Sequence, residues 1–78
     1  VIVDFSYYPN PSNGILNIVA GEEIEEVTAY TIAGQVLFTK KINATEAIID
    51  LSSFANGVYF FKAVSGAKEM NFKVVKQD

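Results

Sequence analysis

The sequence predicts an all-β fold: a small immunoglobulin-like antiparallel β-sandwich of about seven strands. Three observations lead there. Apolar and polar residues alternate with period two along most of the chain. β-Branched and aromatic residues fill those runs, and turn signals separate them at intervals of about 8–12 residues. No segment sustains an apolar pattern at helical spacing. Short antiparallel strands each bury one face, and two facing sheets give them a shared core. The cysteine–tryptophan–cysteine core of antibody domains is absent, because the chain contains neither residue type.

The first strand is expected over about Ile2–Tyr8, ended by Pro9-Asn10-Pro11. Neither proline can donate a ladder hydrogen bond, and Asn10 is pushed toward extended backbone by the proline after it. Asn13-Gly14 adds a tight-turn signal. The second strand covers about Ile15–Ala20, with Leu16 and Ile18 on one face, and Gly21-Glu22-Glu23 closes it. The third covers about Glu26–Ile32, where Val27 and Ala29 alternate with Thr28 and Tyr30. Ala33-Gly34 turns the chain into a fourth strand, about Gln35–Ile42. Its inward face is ambiguous, since Val36 with Phe38 competes with Leu37.

Asn43–Thr45 reads as a loop, followed by a fifth strand over about Ala47–Leu51 and a polar corner at Ser52-Ser53. Asn56-Gly57 then turns into the sixth and most aromatic strand, about Val58–Ser65. Here Tyr59, Phe61 and Ala63 face the core, because Lys62 marks the opposite face as the wetter one. Ser65-Gly66-Ala67 is a hairpin loop. In the seventh strand, about Lys68–Lys76, Met70, Phe72 and Val74 face in while Asn71 and Lys73 face out.

A chain of 78 residues makes one domain that buries only about 60% of its unfolded surface, so its stability margin is modest. With 50% apolar and 13% aromatic residues it is not disordered. No apolar run approaches the roughly 20 residues needed to cross a bilayer, and no membrane span is expected. The chain opens on Val1 and its one methionine is Met70, so it reads as a piece of a longer product, and the lack of a visible signal peptide says nothing of export. Without cysteine there are no disulfides or thiolate metal sites. A net charge of −3 argues against nucleic acid as a partner. Residues 1–39 hold five acids and no base, whereas residues 40–78 hold six lysines and four acids. Solvated strand faces explain that unevenness more simply than a functional basic end.

Enzymatic chemistry is not expected. The absence of His and Cys removes the usual general base and the strongest common nucleophile. Ser52 and Ser53 have no base nearby in sequence and sit where a corner wants hydroxyls. Glu22, Glu23, Glu25 and Glu26 flank a glycine and run into a strand, unlike the converging oxygens of a calcium loop. No catalytic residue, cofactor or metal ligand is assigned. The aromatic set Tyr7, Tyr8, Tyr30, Tyr59 and Phe60 leaves open a sugar-stacking platform, although strand aromatics more often serve burial.

Four segments together resemble the type A C-terminal sorting domain of type IX secretion, found at the end of cargo proteins of Bacteroidota. They are Tyr8-Pro9-Asn10-Pro11 with Gly14-Ile15-Leu16-Asn17-Ile18, then Val27-Thr28-Ala29-Tyr30-Thr31-Ile32-Ala33-Gly34-Gln35. Next come Ile49-Asp50-Leu51-Ser52-Ser53-Phe54-Ala55-Asn56-Gly57-Val58-Tyr59-Phe60 and Phe72-Lys73-Val74-Val75-Lys76. They stand in family order and spacing and span nearly all of residues 7–76. The chain departs from the pattern at Ala29, where a larger β-branched residue is usual, at Thr31, where Asp or Asn is common, and at Phe54, which replaces Leu. Phe54 is expected to fill volume that Ala29 leaves.

The resemblance implies a non-catalytic C-terminal secretion signal. Residues 1–6 would be the end of a linker to an upstream cargo and residues 7–78 the sorting domain. The partners implied are outer-membrane translocon components, the covalently fused cargo, and a sortase-like peptidase that removes the domain as cargo is attached to the cell surface. The implied route runs through the periplasm to the cell surface or medium. Pro9, Asn10, Pro11, Lys73, Val74, Val75 and Lys76 are the candidate recognition residues, and Gly34, Asp50, Gly57 and Tyr59 the motif residues with structural roles. The alternative is a carbohydrate-binding or adhesive β-sandwich accessory module.

Overall fold

The computed structural model describes residues 5–8 and 14–77. Five antiparallel strands form: β1 (Phe5–Tyr8), β2 (Ile15–Tyr30), β3 (Val36–Asp50), β4 (Gly57–Ser65) and β5 (Lys68–Lys76). β2 is the organising element, because β3 runs along one edge of it while β1 and β4 share the other. Its first part pairs with β1 through Phe5↔Ala20 to Tyr8↔Asn17, and its last part pairs with β4 through Glu26↔Val64 to Tyr30↔Phe60. β5 then adds to β4.

This connectivity makes two wings of one sheet. The first holds β1 with the start of β2 and the end of β3. The second holds the start of β3, the end of β2, β4 and β5. Between them the β2–β3 register jumps from Val19↔Glu46 to Ile24↔Ala44, so Ala20–Glu23 lie opposite Thr45 alone. A bulge of that size bends the pair and increases its twist. Asn43, at φ 51°, marks a further irregularity on β3. The wings meet through aromatic rings: Tyr7 stacks on Phe72 with centroids 4.4 Å apart, and Phe5 lies 5.3 Å from the same ring. β1 and β5 share no register among the described residues, so these contacts pass between the folded wings.

The expectation of seven strands is corrected to five. The segments read as second and third strands are one continuous β2, and those read as fourth and fifth are one continuous β3. Gly21-Glu22-Glu23 and Asn43–Thr45 look like breaks in sequence, yet the backbone carries them as bulges inside the ladder. Hydrogen bonding joins all five strands into a single sheet instead of two separate ones. The expected strand at Ile2–Asp4 and the turn at Pro9–Asn13 lie outside the described residues.

The expected inward faces hold in most places. Leu16, Ile18, Val27, Ala29, Phe61 and Val74 are all essentially inaccessible. The ambiguous strand resolves through a third irregularity: Ala29 faces Phe38 while Tyr30 faces Val36, which leaves Leu37 as an extra residue. Leu37 and Phe38 therefore both pack on the core while Val36 is exposed. Phe54 stacks at 5.8 Å on Phe38, the register partner of Ala29.

Candidate recognition surface

The motif residues lie at or beside turns: Gly34 and Gly57 with Tyr59 on the second wing, and Asp50 at the end of the first. At the β2–β3 hairpin, Gly34 N–H donates to the Thr31 carbonyl and Thr31 N–H donates to the Gln35 carbonyl, both at 2.9 Å. Gly34 sits at φ 87°, a conformation that side chains resist. The Thr31 hydroxyl accepts from Ala33 N–H and Gln35 N–H, each at 3.2 Å. The hydroxyl thus supplies the local acceptor that an Asp or Asn side chain supplies in such turns.

At the corner after β3, Asp50 Oδ1 accepts from Ser52 N–H at 2.9 Å and from the Ser52 hydroxyl at 2.6 Å. The hydroxyl bond first, and then the backbone bond, hold this exposed carboxyl below its ordinary pKa. Leu51 N–H donates to the Gly14 carbonyl, tying the corner to the start of β2. Leu51 is wholly buried, while Ser52 and Ser53 stay exposed.

Gly57 opens β4 at φ 155°, and the Tyr59 hydroxyl donates back to the Ala55 carbonyl at 2.5 Å. Tyr59 is half-buried, and its ring lies 6.1 Å from that of Phe54. It packs at the margin of the core rather than in its centre, which belongs to Phe61.

The C-terminal candidates separate onto two faces of β5. Lys73 is exposed and Val75 is intermediate, whereas Val74 is fully buried and Lys76 is 4% exposed. Lys76 Nζ donates to Asn56 Oδ1 at 3.0 Å. β5 lies at the end of the strand order, paired along Gly57↔Lys76 to Ser65↔Lys68 with β4. Pro9, Asn10 and Pro11 lie outside the described residues.

Sequence reasoning missed two features. Asn56, read only as a turn residue, is the partner of a buried lysine; the strict alternation from Met70 through Phe72 and Val74 already pointed Lys76 inward. On the outward face of the second wing, Val36, Tyr30 and Phe60 line up across three strands. Alternation placed Phe60 on that face, but only the cross-strand register aligns it with the other two. A concavity of about 510 Å³ beside the β2–β3 bulge is lined in part by Tyr8, Glu46 and Ile48 of the first wing and Lys40 of the second, and Lys40 Nζ donates to the Ile48 carbonyl there.

The described motif residues thus shape the turns and the terminal strand closes the core. No curated protein matches the sequence. The family model described as the secretion system C-terminal sorting domain matches residues 6–77, and the chain belongs to that family, the sorting domains of type IX secretion.

Proposed function

We propose that this domain is the folded, non-catalytic export signal of a larger secreted protein, with residues 7–78 as the signal and residues 1–6 as the end of the linker. Translocon components at the outer membrane read it from the periplasm. A sortase-like peptidase then cuts at or before residue 7, as the cargo is attached to the cell surface. The family match across residues 6–77 carries the reading. The folded wings, with a tyrosine bonded back to its own upstream backbone, support a sandwich of immunoglobulin-like type as the finer description.

In this reading the label is made of side chains the core does not use. Lys73 and Val75, with Pro9, Asn10 and Pro11, remain candidates for contact with the translocon. Val74 and Lys76 serve recognition indirectly, by holding β5 in place. Carbohydrate binding is less well supported. Tyr7 is stacked on Phe72 and Tyr59 packs near Phe54, and of the rest only Tyr30 and Phe60 are neighbours, since Tyr8 belongs to the other wing.

The test is a periplasm-directed reporter carrying residues 1–78 at its C-terminus, expressed in a host with type IX secretion. Wild-type fusion should reach the surface or medium. Removal of residues 74–78 also deletes a core residue and the Lys76–Asn56 bond, so Lys73→Glu gives the cleaner test of C-terminal contact. A folded Lys73→Glu fusion exported as well as wild type would remove Lys73 from the label.

A further inference from the structure

The outward face of the second wing is not uniformly polar. Its cross-strand rows run from apolar to charged along the strands. One row reads Val36, Tyr30, Phe60 and Lys73, in register across β3, β2, β4 and β5. Val36 is 59% and Phe60 43% exposed, and Ile32 in the adjoining turn is 74% exposed. The next row along that face reads Thr39, Thr28, Lys62 and Asn71, and the one beyond reads Lys41, Glu26, Val64 and Glu69. The water-facing side of an antiparallel sheet is ordinarily polar, so an aligned apolar row beside an exposed apolar turn residue departs from that pattern.

Nothing in the core requires this row. The core-facing side of the same strands is already filled by Ala29, Phe61, Phe72 and Val74. Charge says what fits against it. Among the described residues of the apolar row and the one beside it, the charged side chains are Lys62 and Lys73, while the carboxylates Glu26 and Glu69 lie one row farther away. A matching surface is therefore apolar where it meets Val36, Tyr30 and Phe60, and carries carboxylates where it meets Lys62. The domain's net charge of −3 disfavours an anionic bilayer, because the whole body is repelled while only local lysines attract. A protein surface can instead place single carboxylates opposite single lysines.

We infer that this face, centred on Val36, Tyr30 and Phe60, docks on a protein of the secretion machinery that presents an apolar patch bordered by carboxylates. The inference rests on the sorting-signal reading and names the surface that carries it.

The test uses the reporter fusion with Val36→Thr/Phe60→Thr, with Lys62→Glu, and with Ile48→Thr as a control. Ile48 is 62% exposed on the other wing. Threonine keeps strand preference, and thermal unfolding of each purified domain checks the fold. Export of the double variant should fall roughly tenfold or more, the scale expected when an interface loses its aromatic anchor. Lys62→Glu should also reduce export, and it decides the matter if the double variant fails to fold. Ile48→Thr should export as wild type.

Wild-type export by folded Val36→Thr/Phe60→Thr, or by Lys62→Glu, overturns the proposal. An equal loss with Ile48→Thr does too, since the effect would then be general. A wild-type dimer in sedimentation that the double variant dissolves assigns the face to a second copy and overturns it. Binding to anionic vesicles or to soluble polysaccharide that the double variant abolishes does the same for a lipid or sugar partner. A wild-type fusion that stays in the periplasm removes the sorting reading itself, a result distinct from failure of the face alone.

Discussion

The Lys76 ammonium donates to the Asn56 side-chain carbonyl at 3.0 Å, joining the last residue of the final strand to the turn that precedes β4. Gly57 and Lys76 are register partners, so this bond closes the open end of the β4–β5 pair. The lysine stem is covered while its charged end meets an amide, an arrangement long cationic side chains can adopt. Lys76→Ala should destabilise the domain by about 2 kcal/mol, the scale of a hydrogen bond to a charged group. A double-mutant cycle with Asn56→Ala, read by urea unfolding, should give a coupling of about 1 kcal/mol. Zero coupling would show that the bond does not hold the strand.

Burial ranks the aromatic positions. Phe61 is 1% exposed and stacks on Phe72 at 5.4 Å, so Phe61→Ala should cost about 3–5 kcal/mol, much of the stability of a domain this small. Tyr59 is the other aromatic of β4 that alternation points inward, but it is only half-buried. Tyr59→Phe should therefore cost about 1 kcal/mol, the value of its one hydrogen bond to Ala55. Thermal melts of the two variants measure the ranking, and a Tyr59→Phe loss equal to that of Phe61→Ala contradicts it.

These two residues also show how far the sequence could be read. Period-two alternation assigned Phe61, Phe72 and Val74 correctly, because side-chain direction follows backbone pleat wherever the ladder is regular. It failed where the ladder is irregular. Gly21-Glu22-Glu23 has turn composition, yet it bulges within β2, and Leu37 breaks the alternation in β3 through the register shift beside Ala29. Charge misled at Lys76, since a lysine on a strand normally marks the wet face and this one is buried against an asparagine. The row of Val36, Tyr30 and Phe60 depends on long-range register, which local pattern does not encode.

The two motif glycines should differ in what they tolerate. At Gly34 an added Cβ meets nothing within 4 Å, so Gly34→Ala should cost about 1 kcal/mol from its positive φ alone, and Gly34→Asn less. Gly57 has the same open surroundings, but φ 155° lies in a region that only glycine occupies readily. Gly57→Ala should cost more, about 1–3 kcal/mol. Equal losses for the two alanine variants in denaturant titrations would contradict the assignment of backbone strain.

Asp50 makes a pH prediction. Hydrogen bonds from Ser52 lower its carboxyl pKa from the ordinary 3.8. Between the folded and unfolded values the unfolded chain binds more protons, so the contribution to stability is full above the ordinary value and is lost as pH falls through the lowered one. Carboxyl chemical shifts should show Asp50 titrating below 3.8, and Ser52→Ala should move it upward. Titration at or above 3.8 in the wild type would contradict the corner geometry.

In the proposed function a folded domain, and not a short peptide, is the export label. The most direct measurement is surface and medium recovery of a reporter fused to wild-type residues 1–78, compared with the same fusion carrying Ala63→Asp. Ala63 is wholly buried, and an unpaired charge there should unfold the domain while leaving the recognition candidates and the outward row unchanged in sequence. The wild-type fusion should be exported, and the variant, shown by circular dichroism to be unfolded, should stay in the periplasm. Export of the unfolded variant at the wild-type level would contradict that reading.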